Sequence, residues 1–142
     1  MTKLTLDQAS AITAAAIAKG KELGLKPLAV AVFDAGGTLK AYSAQDGSTP
    51  YRFEIAAGKA RASILTGASS RALHNQAGER PHFLAALGSA IPGGIVPVPG
   101  GVAILDGSGT VAGAVGVTGD TSDNDEKCAV AGIEAAGMKS GL

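Results

Sequence analysis

The stretch "RALHNQAGERPHF", residues 71–83, gathers two histidines, a carboxylate and two arginines in one short segment. Those are the side chains of acid–base chemistry. Imidazole changes charge near neutral pH, so His74 or His82 suits a general base. Glu79, or Asp120 from farther along the chain, would hold the imidazole in place, and Arg80 or Lys59 would clamp an anionic substrate. On that reading His74, His82 and Glu79 are catalytic candidates, and the substrate is a small oxygenated metabolite. The same stretch also reads as a surface turn with Phe83 packed beneath it. Convergence of both histidines on one cleft decides between the two.

A second segment, "IPGGIVPVPGG", residues 91–101, writes Pro-Gly-Gly twice. Closely spaced glycines let a ligand approach the backbone, and their N–H groups can hold an anion or a carbonyl. The prolines stiffen the loop, which lowers the cost of ordering it around a ligand. Gly93, Gly94, Gly100 and Gly101 are therefore ligand-binding candidates, beside Lys59 and Arg80. A stiff crossover loop entering a strand would need the same residues.

Other motifs resolve into structure. "GSGTVA", residues 107–112, fits a dinucleotide fingerprint in letters only, because a strand-like "VAGAVGVTG" stands where that motif needs a helix. "GKA" at Gly58 to Ala60 lacks the earlier glycine of a phosphate loop, since Phe53 occupies it, so Lys59 reads as a polar-face lysine. The acidic run Asp120, Asp123, Asp125, Glu126 lacks the alternating oxygen ligands of a calcium loop and matches a helix start. Cys128 follows that run; the negative charge opposes a thiolate, and the residue reads as structural. No nucleophile elbow and no closed zinc spacing are present.

The elements that must position these groups follow from periodicity and punctuation. Thr5 with Gln8 forms a capping box for a helix over 5–24, with Leu4 at the staple position and Ala9, Ile12, Ala16 and Leu23 on one face. "VFDAGGTL" (32–39) and "ILDGSGTV" (104–111) repeat one pattern of apolar run, Asp, glycine turn and apolar run. Each reads as a hairpin turn whose aspartate accepts backbone amides. Thr49 caps a second helix with Pro50 in its first position, an apolar stripe Phe53, Ala56, Ala57, Ala60, Ile64, and Gly67 at its end. Residues 69–90 form a helical or irregular connection broken at Gly78 and Pro81. Ser122 with Asp125 caps a last helix ending near Gly137, on which Cys128, Ala131 and Ala135 make a small-residue strip suited to a subunit contact.

Composition limits the function classes. The 142 residues suit one domain, taken as 1–142, large enough for a core. Twelve basic and twelve acidic residues cancel, which leaves no electrostatic footprint for nucleic acid or an anionic membrane. No run is long and apolar enough to span a bilayer, and "MTKLTLDQAS" lacks the pattern of a signal peptide. With one cysteine, the expectation is a cytoplasmic protein. Twenty-one glycines, five Phe and Tyr and no Trp describe a tight, light core, which favours a homo-oligomer.

Residues 92–132, "PGGIVPVPGGVAILDGSGTVAGAVGVTGDTSDNDEKCAVAG", together with 30–48 and "AAGKARAS" (56–63), resemble the signature of GlcG/HbpS-like proteins, which include the C-terminal domain of PduO-type proteins. The resemblance covers nearly the whole chain. It implies an α+β, profilin-like fold: a five-stranded antiparallel sheet flanked by helices, assembled as a homo-oligomer. It also implies a ligand-binding protein, with haem or a related tetrapyrrole as the ligand and cofactor, since some relatives bind haem and the family is often labelled haem-degrading. Where many relatives carry a histidine after the first double glycine this chain has Thr38, and Gln45 stands where relatives commonly have an arginine. His74 and His82 remain as the histidines for haem iron. The second class of reading is the His-base enzyme above, with its pocket beside the Pro-Gly-Gly loop. A third is a purely structural assembly protein.

Overall fold

The computed structural model describes residues 3–142. The first helix, α1 (Leu6–Glu22), begins where the capping box puts it: the Gln8 N–H donates to Thr5 Oγ1 at 3.1 Å, and the Thr5 N–H to Gln8 Oε1 at 3.0 Å. Its inward face carries Ala9, Ile12, Ala16 and Gly20 over a buried Leu4. Leu23 is the exception on the expected face. It lies just past the last helical turn and stays 43% exposed.

Strands β1 (Ala29–Asp34) and β2 (Leu39–Ala44) form the first hairpin, and β3 (Gly101–Leu105) with β4 (Val111–Thr118) the second. The repeated phrase is a repeated turn. Asp34 Oδ1 accepts the N–H groups of Gly36 and Thr38, and Asp106 Oδ1 accepts those of Ser108 and Thr110, all between 2.9 and 3.0 Å.

Helix α2 (Arg52–Thr66) starts two residues later than its sequence signal. The chain leaving β2 must first turn back over the sheet, and it does so at Tyr51, which holds the N-cap position at φ +66°. Thr49 does not cap; its Oγ1 accepts the Arg52 Nε–H at 2.8 Å instead. Gly67 closes the helix at φ +70° as expected. The connection over 69–90 resolves into α3 (Ser70–Ala77) and α4 (Pro81–Ala90), parted at Gly78 and Pro81. The last helix, α5 (Ser122–Ala135), is capped by Thr121 rather than Ser122, and Asp125 is turned inward, away from the cap. The fifth strand that the resemblance implies, β5 (Lys139–Gly141), lies where the residue patterns placed no strand.

The five strands form one antiparallel sheet in the order β2-β1-β4-β3-β5. This is the α+β architecture expected, with helices on both faces. The two faces differ in kind. Val30, Val32, Val102, Ile104, Val115 and Val117 pack with Ile12 and Ile133 under α1 and α5. The other face offers Ala31, Phe33 and Ala114 to Ala56, Ala57 and Ala60 of α2. Beside them Gly101 and Gly116 are direct partners across β3 and β4. A Cβ on Gly116 would fall inside contact distance of the Ala56 carbonyl oxygen, and one on Gly101 inside that of the Lys59 carbonyl. The helix backbone thus rests on the sheet backbone.

Gly116→Ala should therefore destabilise by about 3 kcal/mol, because α2 must lift off the sheet to admit one methyl group. Gly107→Ala, in open space without a positive φ, should stay within about 0.5 kcal/mol of the parent. Urea unfolding of the two variants checks both values.

Candidate functional site

The last two turns of α2, the first hairpin turn and the first Pro-Gly-Gly unit enclose a cleft of about 290 Å³. Ile64, Leu65, Ile91 and Pro92 make its apolar walls, and Gly36 and Gly37 its rim. One cation faces it. The Arg61 guanidinium lies 5.6 Å from the centre of the Phe33 ring and donates to the Gly93 carbonyl at 3.2 Å. Gly93 has φ +81°, and a Cβ there would stand 2.7 Å from Arg61 Cζ, so a side chain at this position would push the guanidinium off the loop.

A second cleft of about 320 Å³ adjoins the first, and Leu65, 44% exposed, is the wall they share. Leu73, Phe83 and Leu87 line it, and Arg80 stacks 4.0 Å from the centre of the Phe83 ring. The region is a pair of apolar troughs, each bordered by an arginine held on a phenylalanine. Its chemistry suits an amphipathic ligand with a flat apolar body and carboxylates at its edge.

The sequence candidates separate here. Arg80 lines the second cleft, and Gly93 and Gly94 lie in the loop beside Arg61. Gly100 and Gly101 are buried away from it: a Cβ on Gly100 would meet the Val117 carbonyl at 2.6 Å and Lys59 Nζ at 2.7 Å. The second Pro-Gly-Gly unit serves packing. His74, Glu79 and His82 are exposed and line neither cleft, so the acid–base constellation is not assembled. His74 faces the Asp123 side of α3, where Arg71 ties that helix to Asp123 and Glu126 of α5. Among the described residues no three His, Cys, Asp or Glu side chains gather as a metal site.

Lys59 corrects the reading of a polar-face lysine. It is 2% exposed, with Nζ 3.1 Å from Asp125 Oδ2 and donating to the Val117 carbonyl at 2.9 Å. Burial pushes the Lys59 pKa down and the Asp125 pKa up, and each is opposed by the charge of the other. Lys59 cannot serve as an anion clamp, because its charge is already spent on Asp125. The sequence did carry a signal: Lys59 shares the inward face of Ala56 and Ala60, three and four residues along a helix. Arg61 carried none, being one arginine among alanines. Cys128 is also core, not part of an outer strip; desolvation, then Asp125, pushes its thiol up to about 11.

Over residues 4–134 the chain matches a family model described as haem degrading protein HbpS-like. Among solved structures, the PduOC:heme complex superposes with a TM-score of 0.85 at 23% identity, covering 99% of this chain and 100% of that one. A double mutant of HbpS from Streptomyces reticuli gives 0.81 at 27%, over 94% of this chain and 87% of that one. The Klebsiella pneumoniae protein ORFY gives 0.84 at 22%, over 96% and 93%. A search of proteins with curated function returned no match.

Two outcomes follow from the buried groups. Lys59→Met strands the Asp125 carboxylate and should cost about 3–5 kcal/mol, whereas Lys59→Met with Asp125→Leu should be more stable than either single variant in urea. Cys128, with roughly one molecule in a thousand as thiolate at pH 8, should resist a thiol-reactive dye in the native protein and label fully in denaturant.

Proposed function

The chain belongs to the HbpS-like family, and we propose that it binds haem or a related tetrapyrrole in the paired clefts around Leu65. The observation that carries this reading is the matched pair of arginines, Arg61 and Arg80, each stacked on a phenylalanine beside an apolar trough. A porphyrin is a flat apolar ring with two carboxylate arms, and the two troughs offer it apolar contact with a cation at each. The description of the family and the haem in the PduOC complex support the same ligand class.

On this reading His82, which lines neither cleft but adjoins the second in the chain, would be the iron ligand in preference to His74. It stands next to Phe83 in the chain and two residues from Arg80, both in the second cleft, whereas His74 lies toward Asp123. Bound haem would supply redox and axial-ligand chemistry at its iron. The residues of this chain would hold the ring edge, pair the carboxylates and shield one face from water. We propose further that the chain assembles as a homo-oligomer. Leu39 and Tyr42 on the edge strand β2, and Tyr51 at the N-cap of α2, are exposed apolar surface that a second copy would cover. No described helix is long and apolar enough to cross a membrane.

An absorbance titration with hemin tests the proposal. The parent should give a saturable Soret band. Arg61→Gln and Arg80→Gln should each weaken binding about fivefold, as expected for a partly exposed ion pair worth about 1 kcal/mol. His82→Ala should shift or abolish the band, and His74→Ala should leave it unchanged. A flat titration of the parent overturns the haem reading. Light scattering on the same samples measures the subunit number.

A further inference from the structure

At the end of the sheet opposite the hairpin turns, a separate cleft of about 410 Å³ opens between the chain entering β1, the chain leaving β2 and the chain leaving β4. Its size falls within the ~300–1,000 Å³ of small-molecule sites. Six of its nine lining residues carry polar side chains: Lys26, Ser48, Thr49, Arg52, Asp120 and Thr121. None of these residues belongs to the paired clefts around Leu65.

Three charged side chains set its chemistry. Arg52 is half-buried, and neutral hydroxyls fix its guanidinium: Nε donates to Thr49 Oγ1 at 2.8 Å and Nη1 to Thr118 Oγ1 at 3.0 Å. Among the described residues neither Arg52 nor Lys26 closes an ion pair within 4 Å, although the Lys26 charge acts on Asp120 from farther off. Asp120 is equally fixed. Oδ1 accepts the Lys26 N–H at 3.2 Å and Oδ2 the Asn124 Nδ2–H at 2.8 Å, and these bonds hold the carboxylate ionised. The Asp120 N–H donates to Asp125 Oδ1 at 3.0 Å, which pins the floor of the cleft to the buried pair with Lys59.

Two cations and one anion leave the cleft with a single positive charge. A monoanion balances it, and a carboxylate matches the fork of a fixed guanidinium. The ionised Asp120 would repel an anion that offers it nothing. A ligand hydroxyl, donated to a carboxylate oxygen with lone pairs to spare, removes that conflict. We propose that this cleft binds a small hydroxymonocarboxylate, with its carboxylate on Arg52 and Lys26 and its hydroxyl on Asp120.

Titration of the ¹⁵N-labelled protein with sodium lactate, sodium propionate or inorganic phosphate, at constant ionic strength, tests the proposal. Lactate should cause saturable shifts confined to Lys26, Gly47–Thr49, Arg52 and Gly119–Thr121, and bind at least fivefold more tightly than propionate or phosphate. Arg52→Gln should abolish those shifts. Because Arg52 also braces Thr49 and Thr118, the decisive variants are at more accessible positions. Lys26→Gln should weaken lactate at least threefold, and Asp120→Asn should erase the preference for lactate over propionate. Absence of saturable lactate shifts in the parent overturns the proposal. So does equal binding of lactate with propionate or phosphate, or parental affinity and selectivity in both decisive variants. None of these outcomes bears on hemin binding at the other end of α2.

Discussion

The contact that organises this molecule is made almost without side chains. Gly101 and Gly116 stand side by side in the middle of the sheet, and the Ala56 and Lys59 carbonyls of α2 rest on them. Valines and isoleucines on the opposite face hold α1 and α5 at ordinary side-chain distance. The alanines and glycines under α2 bring it closer. Close packing of backbone against backbone admits no methyl group, so this seat fixes the height, direction and rotation of α2 together. Everything α2 carries inherits that placement.

Lys59 shows what such a seat demands. A helix set this close has no solvent beneath its inner face, so a long cation there must find its partners inside the protein. It finds Asp125 of α5 and the carbonyl of Val117 in β4. One ion pair thereby joins helices from opposite faces of the sheet through the end of a central strand. Asp125 then takes up the Asp120 N–H, and Asp120 the Lys26 N–H. The polar end of the molecule is built outward along this chain of bonds from a buried charge.

The parts of the structure legible in the sequence are those decided within a few residues. The Thr5–Gln8 capping box, the Asp34 and Asp106 turns, the stripe from Phe53 to Ile64 and the breaks at Gly78 and Pro81 all lie where local chemistry puts them. The misread positions answer to distant partners. Tyr51 accepts a left-handed backbone because β2 must hand the chain back over the sheet. Asp125 carries the spacing of a capping residue, yet a lysine 66 positions away draws it inward. Strand β5 has only three residues, too few for a period to register. Of the candidate site, Arg80 and the first Pro-Gly-Gly unit were visible as chemistry; Arg61 became visible only once Phe33 and Gly93 were placed around it.

Arg52 and Arg61 stand near opposite ends of α2, roughly 14 Å apart along its axis at 1.5 Å per residue. Each also touches the sheet, Arg52 at Thr118 of β4 and Arg61 at Phe33 of β1, but the close backbone contact under α2 is made by other residues. Foundation and function are thus written in different letters of one helix. A lineage carrying this fold can exchange one cleft's cation, and with it the molecules that cleft recognises, while the frame that aims both ends is inherited intact.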